Sequence, residues 1–519
     1  NPGSWDGFLN NYLEKTIGVH LDSIPADAEK LQTMIAGNTL PDIGNFMLNN
    51  SITNLIESDM LINLEDYEDQ LPNLFEQFPS VVAYAKKMIC GEKGLYGMPV
   101  QIGRSTTYPF DPDTQSIKLM WDVYYEIGAP EINDWDDLID VLGQMQEARP
   151  TNAEGDRTWG MAYHGNNGSD VGLANIVLCS TGWQTNIKNS LLNLDLKTGE
   201  IEEMFQEDGA WYNALKVIYN ANQAGVLDPD TLTQTYDQLR AKNRLGTTMS
   251  VMNGQYVGPY NTAAHQDDPE HPTAYLSVYE DWLYPVANAE APYGASGRAL
   301  SIPKTCSNID KAIELLNLLY DPYSNLVFYN GPQGELWDID DEGKLYATSL
   351  FLDEYLINLS VTLKDGTVFS TGTWWGPYPM VECQPTPWGE VYRQTSWEFI
   401  KQKELTYKIY ELWHAVYDEK GGWASPIIAY ESNGQHPQQK SWPVFFTPMD
   451  DELTSIYNAV KAVWCEDMYK MAFAADEEEF DACFADLRER AYGLGLQQIY
   501  DWGYAQIDRA MELEAEFAK

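Results

Sequence analysis

Apolar positions along the first three hundred residues switch repeatedly between a helical and a strand period. Residues 5–16 repeat at helical spacing and residues 19–24 alternate in the manner of a strand. Residues 26–36 turn helical again, with Leu31, Met34 and Ile35 on one face. Gly37 is expected to close that helix in the left-handed conformation that glycine takes most cheaply. Pro41 bars further helix, and an extended segment from Asp42-Ile43 should run at a sheet edge and deliver residues 46–50 at its end. Ligands of open α/β sheets sit beyond the C-terminal ends of strands, so this stretch is a candidate binding edge.

The same alternation continues downstream. Residues 56–64 read as a helix end and a short extended piece, and 92–99 as a tight turn and a strand ending at Pro99. Residues 115–127 read as strand into helix, stopped by Gly128, and Asn133 or Asp134 caps the next helix with acids in its first turn. A polar loop over 150–158 precedes a strand at 159–163. A helix spans 208–224 up to Gly225, and a strand at 247–252 ends in Asn253-Gly254. A strand at 299–303 leads to a helix capped by Asn308, with Pro322 just beyond. Residues 336–346 form a hairpin around Asp340-Asp341-Glu342-Gly343. From 390 onward the chain is mostly helical, with one helix opened by Thr447-Pro448-x-Asp450 and the next by the capping box Asp476-x-x-Glu479. Strands alternating with helices predict an α/β fold with mainly parallel sheets, and the helical last quarter is an extension of one part of it.

Composition narrows the class. The 519 residues suffice for roughly two or three domains. No apolar run of about eighteen residues is present, so no membrane-spanning helix is expected. The chain starts at Asn1 with neither methionine nor a charged leader, so a further piece is expected upstream. Lys and Arg total 32 against 78 Asp and Glu, a formal charge of −46. Nucleic acid is excluded as a partner, because its capture relies on basic residues releasing counterions. The 17 tryptophans and 33 tyrosines suit a core and also suit stacking on sugar rings. Six cysteines, at 90, 179, 306, 383, 465 and 483, form no CxxC, and Cys483 sits on an apolar helix face as a free thiol.

Motifs for catalysis are missing: no GxSxG, HExxH, GxxxxGK[ST] or GxGxxG occurs. His265 and His271 bracket acids but read as a polar surface loop. Asp338, Asp340 and Glu342 imitate the start of a calcium loop, yet position twelve is Ser349, so a hairpin turn is favoured. With 78 acids, carboxylate pairs suited to glycoside hydrolysis carry no information. No cofactor and no metal are expected. Aromatic clusters say more. Trp374 and Trp375, in a Gly/Pro-rich stretch, and Trp183 are candidates for ligand stacking or for packing. Trp397, Trp413 and Trp464 lie in helical patterns and read as core.

Several of these segments resemble, in order, the family-1 extracellular solute-binding proteins of carbohydrate ABC importers, in their large lipoprotein branch. Residues 30–43 resemble its helix and "PDI" strand, and 91–99 its "G-K-x-Y-G-x-P" turn. Asp122, Gly128, Pro130 and Trp135 resemble a helix pair of the family, and 246–256 its "A-A-M-x-x-N-G-x-W" strand and loop. Residues 302–320, 329–331, 473–488 and 493–508 follow the same order.

The resemblance implies a two-lobed periplasmic-binding-protein-like fold of type II, closing on sugar in a cleft. It places the first lobe at 1–113 and 288–335 and the second at 114–287 and 336–519. It also implies a monomeric, extracellular, cell-surface lipoprotein or periplasmic protein, held to the membrane only by an upstream lipid anchor and docking on the permease subunits of an ABC importer. By position, Asn49 and Asn50 follow the "PDI" strand where the family presents polar groups to hydroxyls. Tyr256 stands where maltose-type binders stack a tryptophan, and Asp170 where they present an acid. Arg104 and Arg298 are rare basic residues in loops after strands, able to donate a fork of hydrogen bonds.

Three features depart from the family. The opening strand with its lipidated cysteine is not visible. Residues 150–156 hold too few ligands for the calcium loop of some members, and Met120 replaces a usual arginine. The function implied is capture of an oligosaccharide. The alternatives are a glycoside hydrolase on a similar aromatic cleft, or a binder of another solute such as a peptide.

Overall fold

The structure, a computed structural model, describes all residues except 1–6, 48–49, 104–114, 165–171, 253–256, 288–291, 295–296, 357–359, 371–384, 395–396 and 518–519. Its strands in chain order are β1 (Gly44–Met47), β2 (Met98–Pro99), β3 (Lys118–Met120), β4 (Trp183–Gln184), β5 (Leu192–Asp195), β6 (Ile201–Glu203), β7 (Ser250–Val251), β8 (Tyr275–Ser277), β9 (Arg298–Ser301), β10 (Trp337–Ile339), β11 (Leu345–Ala347), β12 (Ser360–Thr362) and β13 (Val368–Ser370). The chain divides into two compact units, one of residues 1–106, 290–400 and 517–519 and one of 107–289 and 401–516. Residues 336–400, which the sequence reading assigned to the second lobe, lie in the first unit.

The first unit is built on the sheet β1-β9-β2, with β9 antiparallel to both neighbours. Gly97 sets the approach of β2 to β9: a Cβ there would lie 2.8 Å from Ser301 Oγ. Buried Tyr320 holds the same strand, donating its hydroxyl to the carbonyl of Pro99 at 2.7 Å. One core packs Leu13, Leu64, Leu74, Leu95, Ile302 and Leu316 under this sheet. A second packs Leu326, Trp337, Phe351, Trp397 and Ile400 around the hairpins β10-β11 and β12-β13. That second core ties residues 336–400 to helices of the first unit, a partnership between sequence-distant apolar positions that spacing alone does not reveal.

The second unit carries the sheet β7-β3-β8, again with the middle strand antiparallel to both sides, and a separate antiparallel sheet β4-β5-β6. Trp159 bridges Thr248 and Met161 bridges Leu227, both in parallel, without forming ladders. Its long helices Asp451–Ala472 and Glu477–Gly493 pack together over buried Trp464, Phe480 and Phe484.

The expectation of mainly parallel sheets is corrected: every strand pair among the described residues is antiparallel, and parallel contacts are isolated bridges. The reason is insertion. β1 and β2 run in the same direction, as do β7 and β8, but β9 and β3 lie between them and take their hydrogen bonds. Helix–strand alternation gives strand direction and not the identity of the neighbour.

Three local readings also change. Residues 19–24 form no strand, because Asn10 stands in for one: its Oδ1 accepts the Leu21 N–H at 2.8 Å and its Nδ2 donates to the Leu21 carbonyl at 3.1 Å. Helix Ala28–Ala36 ends on a left-handed Asn38 (φ 51°), with Gly37 still in the right-handed region. Thr447 is no cap: its N–H and hydroxyl both bond Gln506 Oε1, and Asp450 caps the helix instead.

Candidate ligand-binding site

In the first unit the described candidate Arg298 stands at one end of the sheet. Arg298 opens β9 opposite Met47, the last residue of β1, and its carbonyl accepts the Val100 N–H at 3.3 Å as the chain leaves β2. β1 and β2 therefore both finish beside Arg298, the end of a sheet where ligands bind. The half-buried guanidinium donates Nε–H to Met47 Sδ at 3.3 Å. Asn50 begins the helix Asn50–Glu57 three residues past Met47. Asn49 and Arg104 lie outside the described residues. So do Trp374 and Trp375.

The second unit repeats the arrangement. β7 and the extended run through Trp159 and Met161 point toward the end of the sheet at which β3 begins with Lys118. Tyr256 and Asp170 follow these two segments and lie outside the described residues. Three residues that sequence reasoning missed stand at this end. Lys118 is fully buried, Nζ donating to Ser116 Oγ at 2.5 Å, and Ser116 Oγ meets Ser277 Oγ at 2.6 Å. Tyr163 and His164 stack at 4.6 Å. Burial pushes the Tyr163 phenol up to about 12 and the His164 imidazole below its usual value, so both are neutral at pH 7. Their only sequence signal is polarity inside an apolar strand pattern, which equally describes a solvent-facing position.

Trp183 lies elsewhere, at the start of β4 in the separate sheet of the second unit. There it lines a depression of about 370 Å³ with Trp135, Glu202, Asp208 and Asn213. Trp397, Trp413 and Trp464 are buried, as expected of core residues. The acid run at 338–343 is a hairpin turn: Asp340 Oδ1 accepts the amides of Glu342 and Lys344. Residues 150–156 wrap around Asn152, whose Oδ1 accepts the amides of Glu154 and Asp156. Among the described residues no cluster of three or more His, Cys, Asp or Glu is placed to hold a metal. Cys90, Cys179, Cys306, Cys465 and Cys483 are thiols, and burial raises that of Cys483 to about 11. Among the described residues no helix is long and apolar enough to cross a membrane.

The fold of the chain is similar to that of solved structures. The Streptococcus pneumoniae ABC-transporter substrate-binding protein FusA, in complex with kestose, aligns with a TM-score of 0.62 at 15% identity over 98% of this chain and 96% of that one. An HMO-binding ABC-transporter-associated solute-binding protein from Bifidobacterium longum infantis aligns with a TM-score of 0.58 at 15% identity, over 98% and 96%. The N-glycan transport solute-binding protein of Streptococcus pneumoniae gives 0.51 at 13% identity, over 98% of each chain. These structural alignments show a shared periplasmic-binding-protein-like fold. No curated protein sequence matches the chain. A sequence model of the family described as bacterial extracellular solute-binding proteins matches residues 10–334.

Proposed function

The chain belongs to the bacterial extracellular solute-binding proteins, and from that premise we propose that it captures an oligosaccharide and delivers it, unaltered, to an ABC importer. The family binds solutes and does not catalyse, so the hydrolase reading falls. The observation that carries the proposal is the sheet end at Arg298, where β1 and β2 both stop. It offers backbone ends and a forked donor to a ligand rich in acceptors and hydroxyls. The sugar class is supported by the ligands of the three structural neighbours, kestose, HMO and N-glycan.

On this reading Asn49, Asn50, Arg104 and Arg298 of the first unit hydrogen-bond sugar hydroxyls. Asp170 accepts from them, while Tyr256, Trp374 and Trp375 stack on ring faces. Closure on the sugar, which the family resemblance implies, follows from the sugar binding the closed state better. A permease is the macromolecular partner, and an upstream lipid anchor keeps the protein outside the cell membrane.

A thermal-shift screen against neutral oligosaccharides, followed by mass spectrometry of the recovered sugar, tests this. At a hundredfold excess over Kd the stabilisation is about 2.7 kcal/mol, or a rise in Tm of about 2–5 °C. The sugar should be recovered intact. Arg298→Ala should weaken binding about tenfold or more, the worth of a charge-assisted hydrogen bond, with Tm of the free protein unchanged. No response to any sugar in the panel would overturn the proposal.

A further inference from the structure

The depression around Trp183 is not part of the sheet end that carries Lys118. It belongs to the sheet β4-β5-β6 and lies against the helices Gly172–Ser180 and Ala210–Gln223. Its floor is apolar, made by buried Val177, Leu178 and Ala214. Two half-buried indoles line it. Trp183 makes no ring contact among the described residues. Trp135 meets only Trp282, edge to face at 5.2 Å. Neither indole N–H has a hydrogen-bond partner among the described residues, which leaves both to bond water or a ligand.

Oxygen acceptors complete the lining. Asn213 Nδ2 donates to the carbonyls of Asp208 and Gly209 at 2.9 and 3.0 Å, which leaves Oδ1 to accept. Glu202 Oε1 accepts the Ala210 N–H at 2.6 Å, and burial raises its carboxyl above the usual range. Gly209 makes that bond possible, because a Cβ there would stand 2.7 Å from the same oxygen. Asp208 is exposed, with no partner for its carboxylate among the described residues. It holds a left-handed backbone (φ 52°) that non-glycine residues rarely adopt. Among the described residues no lysine or arginine lines the depression.

The geometry points to a second saccharide site, in which one or two pyranose rings lie against Trp135 and Trp183 and give their hydroxyl hydrogens to Asp208, Glu202 and Asn213. A volume of about 370 Å³ is at the small end for ligand sites and suits a ligand of this size. An apolar occupant would strip water from two carboxylates without replacing their hydrogen bonds. An anion would meet two acids and no cation. A hydroxyl-rich ring supplies both what the acids lack and a C–H face for the indoles. The identification of the occupant as a sugar rests on the reading of the protein as an oligosaccharide binder. The site belongs to another unit and another sheet than the Arg298 sheet end.

The test labels the full chain with 5-fluorotryptophan and follows the fluorine resonances of Trp183 and Trp135, assigned by Trp183→Phe and Trp135→Phe. Neutral mono- and oligosaccharides are titrated to tens of millimolar, with choline as the ammonium control. Calorimetry on the same samples reads the principal site. Both resonances should move on one saturation curve, and Asp208→Ala should weaken that curve about 5–10-fold, leaving the calorimetric affinity within twofold. Fixed resonances while calorimetry shows tight binding would remove the second site and spare the principal one. An unchanged curve in Asp208→Ala would also overturn it, as would movement with choline and no sugar. Calorimetric silence with both resonances moving would strike the principal site alone.

Discussion

Glu280 sits beside the chain's return from β8, its carboxyl only 14% exposed and 3.7 Å from Lys420 Nζ. Burial pushes this carboxyl up to about 7, with Asp281 and Glu131 adding to the rise and Lys420 opposing it. An unfolded glutamate titrates near 4.5, so between these two values the folded state holds a proton that the unfolded state has lost. Stability from this residue is therefore greatest in acid and falls as pH rises from about 4.5 through about 7. Glu280→Gln removes the burden of a buried charge. Near pH 8 the variant should be more stable by about 2–3 kcal/mol, a gain in Tm of about 2–5 °C. The gain should vanish near pH 4. Calorimetric Tm of both proteins across that range checks it, and an equal gain at both ends would contradict the assignment.

Helices were legible in the chain because their ends are written in single residues. Asp134, Asn308 and Asp476 each accept the N–H that their position predicts. The β10-β11 hairpin was legible for the same reason, in Asp340 and Gly343. Sheets were not, since pairing is decided by which sequence-distant strand inserts. Residues 19–24 mark the limit: the alternation was real, but a side-chain amide from Asn10 satisfied the backbone that a neighbouring strand would have taken. The candidate site divides along the same line. Arg298, expected in a loop after a strand, opens β9 instead, whereas Asn50 could be placed just past β1 from the strand that precedes it. Lys118, Tyr163 and His164 could not, because a buried polar residue in a strand has the spacing of an exposed one. The helix pair Asp451–Ala472 and Glu477–Gly493 hides a comparable case. Asp467 is fully buried between them, bonded to Arg490 and, at 3.0 Å, to Lys470. Arg490→Met leaves a buried carboxylate with one partner and should cost about 3 kcal/mol, or about 3–5 °C in Tm. Adding Asp467→Leu to it should recover most of that loss, because the desolvated charge goes with it. A double variant no more stable than the single one would show that the two helices rely on the pair itself.

At the scale of the whole molecule, 78 acids against 32 bases create a field that repels anions wherever the local residues do not cancel it. Among the described residues the Arg298 guanidinium stands in that field at its sheet end, and two carboxylates and no cation line the Trp183 depression. A neutral glycan is indifferent to such a field, and its hydrogen bonds and stacking contacts do not change with ionic strength. A uronate oligomer must climb the field to reach either place, and salt lowers the climb, since the Debye length shrinks from about 30 Å at 0.01 M to about 10 Å at 0.1 M. Affinity for a neutral oligosaccharide should therefore vary less than about twofold between these salt concentrations, whereas any binding of an acidic one should strengthen as salt is added. Isothermal titration at the two ionic strengths separates the cases. A uronate oligomer that binds more tightly at low salt would mean that basic residues govern the site, and the ligand class would then be acidic rather than neutral.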